Sequence, residues 1–390
     1  MSKFAKSEMK NISKYLLLLV IPVMAGCQKS NQPETIIEGT VESINSYGNI
    51  VPSFSPAEFA AAGADYGDLF EISVGTDGAF DALYVDSYAA AGSMSPCICN
   101  YNRDDSQLNV GLNNGNLVAY LNVVEGDKIS LRLKEKNSDP VVAYMSTVYT
   151  YDRADYASDA EFANFRRAGS FANVYRGTSP VNFNKNKVRY SYCDALCRDA
   201  GIQTVIDIAD SDEDILNLLA SPEQESSYMS ELFAEGAIIG LGSDTDYVSE
   251  AFRTKMASGL RFMLSHPGPY FIHCNEGKDR TGFYFILLEA LTGADLQEIK
   301  QDYMQTYKNF FHYTEGSAEY ESIWEKNGVR MICHMAHPEL WPRILVTDWN
   351  SAMLDGLDLA AVAREYLLRC GLVPEEIQQL TGILQESPAL

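Results

Sequence analysis

Cys274 and Arg280 are the two side chains of this sequence best suited to do chemistry together. Five residues separate them in the string His273-Cys274-Asn275-Glu276-Gly277-Lys278-Asp279-Arg280-Thr281-Gly282. A buried-type strand, Gly268 to His273, delivers Cys274 to a short loop, and an apolar helical run begins near Thr281. A loop that closes onto a helix N-terminus points backbone N–H groups inward, and the helix dipole adds positive potential there. Such a loop cradles a tetrahedral dianion and favours a thiolate at Cys274. Arg280 is placed to hold two oxygens of that dianion in a bidentate fork, which Lys cannot reproduce. Gly277 is expected to let the backbone bend close to the ligand.

The surrounding pattern must position this loop. From Gly169 onward strands and helices alternate. Ile202 to Ile208 is a buried-type strand, Phe252 to Leu264 a helix, and Gly268 to His273 a second strand. That alternation predicts an α/β fold with a central sheet flanked by helices. The end is helical: Leu357 to Arg369 is amphipathic, Gly371 suits a C-cap, and Pro374-Glu375-Glu376 opens a last helix. Between Thr35 and Val148 the signals are strand-like instead. Ile36-Ile37, Leu69 to Val74 and Lys128 to Leu133 alternate and are broken by Gly, Asn and Asp, and Gly126-Asp127 suggests a hairpin turn. A smaller all-β domain, barrel or sandwich, is therefore expected over residues 35–148. Residues 149–390 are expected to form the catalytic domain, with the Tyr-rich stretch from Tyr149 to Ala168 as the junction.

Composition narrows the partners. The chain has 390 residues, 46% of them hydrophobic, which suggests two domains rather than one core. A formal net charge of -23 argues against broad binding to nucleic acid or an anionic membrane, both polyanions. Of the eight cysteines, Cys193 and Cys197 fall on one helix face, and Cys97 and Cys99 at alternate positions of a strand; all four are expected to pack. No histidine lies in a metal-ligand motif; His334 and His337 are three apart with no third ligand beside them.

The N-terminus has the layout of an address. Lys3, Lys6, Lys10 and Lys14 precede a short apolar run, Tyr15 to Met24, and then Ala25-Gly26-Cys27. The run is too short to span a bilayer, and the order is that of an export signal over residues 1–26. Met24-Ala25-Gly26-Cys27 resembles the bacterial lipobox, which implies lipidation of Cys27, a polar tether over 27–34, and a protein anchored to the outer side of a bacterial membrane.

The string around Cys274 resembles the signature loop of the cysteine-dependent protein tyrosine phosphatases. In its fuller form it is similar to the secreted bacterial subfamily that also accepts phosphoinositides. Tyr175-Arg176-Gly177, Gly201 to Asp207, and Asp302-Tyr303-Met304 agree with that subfamily, and the likeness runs from about Phe165 to Leu380. One departure is Ala209-Asp210 after the first strand, where the subfamily often has Arg. The resemblance implies a phosphatase that needs no metal or cofactor. Cys274 would attack phosphorus, a cysteinyl-phosphate would form while an acid protonates the leaving oxygen, and water would then release phosphate. Asn275, Glu276, Gly277 and Lys278 complete the phosphate loop, Lys278 either contacting a second phosphate or lying solvated on the rim. Thr281 matches the position whose hydroxyl steadies the sulfur, and His273 tunes the loop. Two acids are open. Asp279 directly precedes the signature Arg and is favoured. Asp246 stands before an aromatic on an upstream loop, where it otherwise caps the helix from Val248 to Leu264. Candidate substrates are a phosphorylated protein, phosphotyrosine first, and a phosphoinositide; the alternative is a catalytically weak anchored module that binds phosphorylated ligands.

The β domain resembles a different family. Ser46 to Val51, Tyr84 to Tyr88 and Leu112 to Asn116 are similar to the C-terminal β-domain of S-adenosylmethionine hydroxide adenosyltransferases. The other domain of that family is not recognisable, so this one is expected to be non-catalytic. Residues from Tyr149 onward are then expected to turn over an aryl phosphate alone.

Overall fold

Alternation of apolar and polar residues, with turns of Gly, Asn and Asp between, builds the first part of the chain into strands. The computed structural model describes residues 36–386 except 46, 77, 93–94, 101–106, 114 and 339–349. The export signal, the tether and Cys27 lie outside the described residues. Seven strands are described in the first part: β1 (Ile36–Ile44), β2 (Ile50–Pro52), β3 (Leu69–Val74), β4 (Ala79–Val85), β5 (Pro96–Cys99), β6 (Asn109–Leu112) and β7 (Lys128–Glu135). They close into a barrel in the order β1-β2-β6-β5-β4-β3-β7. β4 and β5 run parallel, and the other described pairs are antiparallel. Phe70, Ile72 and Val74 of β3 and Ile129 and Leu131 of β7 fill the interior with Phe59 and Ile98. Gly126-Asp127 makes a turn but not a hairpin. β7 pairs with β1 and β3, and the Gly126 N–H returns to the Val41 carbonyl.

The second part is an α/β layer structure. β8 (Arg166–Arg167), β9 (Val174–Gly177), β10 (Thr204–Asp207), β11 (Ile238–Gly240) and β12 (Tyr270–His273) form a sheet of order β11-β10-β12-β9-β8, parallel except at β8. Every residue of β10 and β12 is buried, as central strands with both faces covered require. The helices used below are α1 (Pro140–Val148), α2 (Arg189–Asp199), α3 (Glu250–Ser265), α4 (Asp279–Leu291), α5 (Leu296–Phe311), α6 (Leu359–Arg369) and α7 (Pro374–Gln385). From Thr281 to Leu291 α4 is buried on all sides. That explains why its sequence is apolar without a polar stripe.

The two parts share a core. Val85, Cys97 and Cys99 from the barrel and Val142 and Met145 from α1 belong to the same apolar cluster as Tyr303, Tyr307 and Phe311 of α5. Along β5, Ile98 points into the barrel while Cys97 and Cys99 point out against that cluster. Both faces of this strand are therefore buried, and residues 35–390 cluster as one unit. Residues 149–168 are more than a junction: Tyr156 and Phe162 sit in the shared core, and β8 joins the sheet.

Candidate active site

β12 carries Cys274 to the loop, and α4 begins at Asp279. Cys274 is 4% exposed and lines a cleft of about 680 Å³. The loop is held from outside by its carbonyls. Ser179 N and Asn186 Nδ2 donate to the Asn275 carbonyl at 2.8 and 2.7 Å. Asn164 Nδ2 donates to the Glu276 carbonyl at 3.4 Å, and Arg176 Nη2 to that of Gly277 at 2.9 Å. In a trans peptide the N–H opposes the C=O. Carbonyls turned outward at three successive residues therefore turn the next N–H groups toward the loop's inside, which is the anion cradle the sequence implies.

Arg176 was not among the site residues expected from sequence, although it stood in one of the matching strings. It is fully buried, and its Nη1 donates to Asp302 Oδ2 at 2.5 Å; Arg166 Nε reaches Asp302 Oδ1 at 3.2 Å. Burial alone would raise the Asp302 carboxyl, but the two guanidiniums outweigh it and hold the group down to about 2. An ionised Asp302 fixes Arg176, and Arg176 fixes the loop. Gly277 has a different reason from the one expected. Its φ is +67°, and a Cβ there would lie 2.1 Å from the Gly177 carbonyl oxygen. The glycine admits the neighbouring strand, not the ligand.

Lys278 takes neither of the positions expected for it. It is 1% exposed, with Nζ 2.8 Å from Glu276 Oε2 and 3.4 Å from Ser87 Oγ of the barrel side. It is absent from the cleft's lining. The Tyr149 hydroxyl donates to Glu276 Oε1 at 2.9 Å. Burial pushes the Glu276 carboxyl up, but Lys278 and the Tyr149 bond bring it below the ordinary range. Behind Tyr149, the buried Arg189 guanidinium donates to the Tyr149 and Tyr156 hydroxyls and lies against the rings of Tyr151, Phe162 and Phe310. Glu276 thus braces the loop, while its edge still borders the cleft.

Arg280 lines the cleft, and its Nη1 donates to the Ser243 carbonyl at 2.7 Å. This bond ties the phosphate loop to the segment bearing Asp244 and Asp246. Asp246 does not cap α3; Ser249 does, its hydroxyl accepting from Phe252 N at 3.0 Å. Asp246 is half-buried, lines the cleft, and has no hydrogen-bond partner for Oδ1. Burial, then the Asp244 charge, pushes its carboxyl up to about 6, against backbone bonds from Val248 and Ser249 and the Arg253 charge. Asp279 also lines the cleft. Burial and then Glu276 raise it, against Lys278 and Arg280. Its charge, after burial, also raises the phenols of Tyr247, Tyr303 and Tyr307, so it faces the protein on that side.

Thr281 is buried in the first turn of α4, but its hydroxyl has no hydrogen-bond partner among the described residues, so the expected bond to the sulfur is not formed. His273 is buried with Nδ1 3.2 Å from the Cys274 carbonyl oxygen. Burial, then the Arg280 charge, brings it down to about 4, so it is neutral at pH 7. Asp210, in the place of the expected Arg, accepts from Asn182 Nδ2 at 3.0 and 3.1 Å, and burial pushes it up to about 6.

The opposite wall of the cleft comes from the barrel: Asn45, Asn49, Tyr88, Asn109, Asn113 and Asn116 among others. Sequence reasoning placed no site residue there. The signal was present in the Asn-containing strings near Gly48 and Gly115, but nothing local connected them to Cys274.

The tyrosine phosphatase family is matched over residues 172–385, more than half of the chain. The chain belongs to the tyrosine phosphatase family. This phosphatase is accordingly a phosphomonoester hydrolase. No curated protein matches it. Among solved structures, an uncharacterized conserved protein from Thermotoga maritima is 20% identical, covering 29% of this chain and 42% of its own at a TM-score of 0.23. The core catalytic domain of the PP-IP phosphatase SIW14 from S. cerevisiae, in complex with citrate, is 19% identical over 46% of this chain and 94% of that one, TM-score 0.25. A second structure of the Siw14 catalytic core is 18% identical with the same coverage and TM-score.

Proposed function

We propose that this phosphatase works through a cysteinyl-phosphate on Cys274. The observation that carries the reading is the loop itself: Cys274 and Arg280 border one cleft, on a strand-loop-helix whose carbonyls are tied outward. The Cys274 thiolate attacks phosphorus as the P–O bond to the leaving group breaks. Arg280 and the loop N–H groups hold the equatorial oxygens. An acid gives its proton to the leaving oxygen. The same carboxylate then takes a proton from water, which attacks phosphorus, breaks the P–S bond and frees phosphate.

Of the two acids, Asp246 is the better supported. Its role as a helix cap is filled by Ser249, it stands on a separate segment over the cleft, and its carboxyl is up near about 6. Asp279 is then the carboxylate at the loop's helix end. A phosphotyrosyl protein and a phosphoinositide are the substrates that the likeness to the secreted bacterial subfamily brings. Lipidation of Cys27 would hold the enzyme at the outer face of a bacterial membrane. The likeness of the barrel to the β-domain of S-adenosylmethionine hydroxide adenosyltransferases belongs to the same reading and rests on the short strings quoted above.

Turnover of para-nitrophenyl phosphate, inhibited by vanadate and abolished in Cys274→Ser with vanadate binding retained, is the expected result. Full activity in Cys274→Ser refutes the covalent route. Mass spectrometry of the mature N-terminus tests the anchor, and an unmodified Cys27 refutes it.

A further inference from the structure

We propose that the enzyme's substrates are phosphate monoesters of neutral, hydroxyl-rich groups, such as a sugar or polyol, in place of the phosphotyrosyl protein that the family likeness suggests, and that the barrel wall selects them. This rests on the Cys274 chemistry proposed above. The wall is made of carboxamides that are built in place. Asn49 is 6% exposed, its Nδ2 donates to the Tyr88 hydroxyl at 3.0 Å, and its backbone N–H bonds Asn45 Oδ1 at 3.1 Å. Two glycines make room for the amides. A Cβ on Gly111 would sit 2.2 Å from Asn49 Oδ1, and one on Gly48 would sit 1.9 Å from Asn116 Oδ1. Yet Asn49 Oδ1 and Asn113 Nδ2, with Asn113 4% exposed, have no hydrogen-bond partner among the described residues, and neither has Asn275 Oδ1 on the phosphate loop. All three residues border the same cleft. A buried acceptor or donor left unpaired costs about 1–3 kcal/mol. A ligand hydroxyl, which donates and accepts at once, satisfies either kind.

The charges exclude the main competitors. Among the described residues, the cleft's lining holds Asp244, Asp246, Glu276 and Asp279 against two cations, Arg280 and Lys185. Arg280 belongs to the reacting phosphate, and Lys278 is buried on Glu276. A leaving group that carries further phosphates meets one lysine and an acidic rim among the described residues, a setting that disfavours polyphosphorylated inositols. A phosphotyrosyl ring offers no hydroxyl to the wall, and sites built to bond hydroxyls reject analogues that lack them.

The test uses full-length Cys274→Ser, which removes turnover, with binding measured by titration calorimetry. A hexose 6-phosphate or myo-inositol 1-phosphate is expected to bind about tenfold tighter than inorganic phosphate, the worth of one good hydrogen bond. A phosphotyrosyl peptide and inositol hexakisphosphate are expected to bind no tighter than inorganic phosphate. Adding Asn49→Leu or Asn113→Leu should erase the preference for the polyol esters over inorganic phosphate. The proposal is overturned if the peptide or the hexakisphosphate binds tightest, or if both Leu variants, folded by thermal melt, keep the preference. Should the Leu variants fail to fold, the ligand panel on Cys274→Ser decides alone. Wild-type failure on para-nitrophenyl phosphate would instead overturn the Cys274 chemistry, so the two failures are distinct.

Discussion

Asp246→Asn should remove the alkaline limb of the pH–rate profile and do most harm where the leaving group is a poor one. The acid must carry its proton when the P–O bond breaks. With its carboxyl at about 6, Asp246 is protonated in about a tenth of molecules at pH 7 and about a hundredth at pH 8. The rate should therefore be flat below about pH 6 and fall about tenfold per unit above it, until another group intervenes. Asn cannot donate that proton, so the variant should show no such fall between pH 6 and 8. General acid catalysis is typically worth about 10²–10⁴-fold, or about 3–5 kcal/mol of the activation barrier for an alkyl ester. Para-nitrophenolate leaves readily without a proton, so its ester should lose about tenfold or less. The assay is kcat/KM from pH 5 to 8.5 for an alkyl phosphate and para-nitrophenyl phosphate, in wild type, Asp246→Asn and Asp279→Asn. If Asp279→Asn loses the limb and the alkyl ester while Asp246→Asn keeps both, the assignment is reversed and the reasoning from the Ser249 cap is wrong.

Three further outcomes follow from the packing. Gly277→Ala puts a Cβ 2.1 Å from the Gly177 carbonyl at a φ of +67°, so stability should drop by about 1–3 kcal/mol and turnover by about a hundredfold as the loop shifts; unchanged turnover would show that the loop and β9 yield freely. Arg176→Met leaves the buried Asp302 with Arg166 as its remaining guanidinium, a loss of about 3–5 kcal/mol readable as a lower melting temperature; an unchanged melt refutes the brace. A chain of residues 149–390 loses Val85, Cys97, Cys99, Val142 and Met145 from the shared core, at roughly 1–3 kcal/mol each. That sum rivals a typical domain's whole stability, so this fragment should not fold alone, contrary to the expectation from sequence. A folded, fully active fragment by circular dichroism and para-nitrophenyl phosphate turnover would refute it.

The parts of this protein legible in sequence are those that neighbouring residues determine. Cys274 and Arg280 fall on one strand-loop-helix because the apolar run before them and the helical run after them are contiguous with the string. β3 was legible to the residue from its alternation, and α7 from Pro374. The β-rich first part and the α/β second part were distinguishable by period alone. What sequence left undecided depends on residues far apart in the chain. Lys278 looks like a loop-rim charge until Glu276 and the barrel's Ser87 close over it. Gly277 looks like a ligand contact until Gly177, a hundred positions earlier, lies against it. Asp246 looks like a cap until Ser249 takes that place. That Asn49 and Asn113 border the same cleft as Cys274 is written in no local pattern at all. Period and turn chemistry fix what each segment is, because they act over a few residues. Which faces meet is decided by burying the outward face of β5 in a core shared with α5, and that packing is a property of the whole chain.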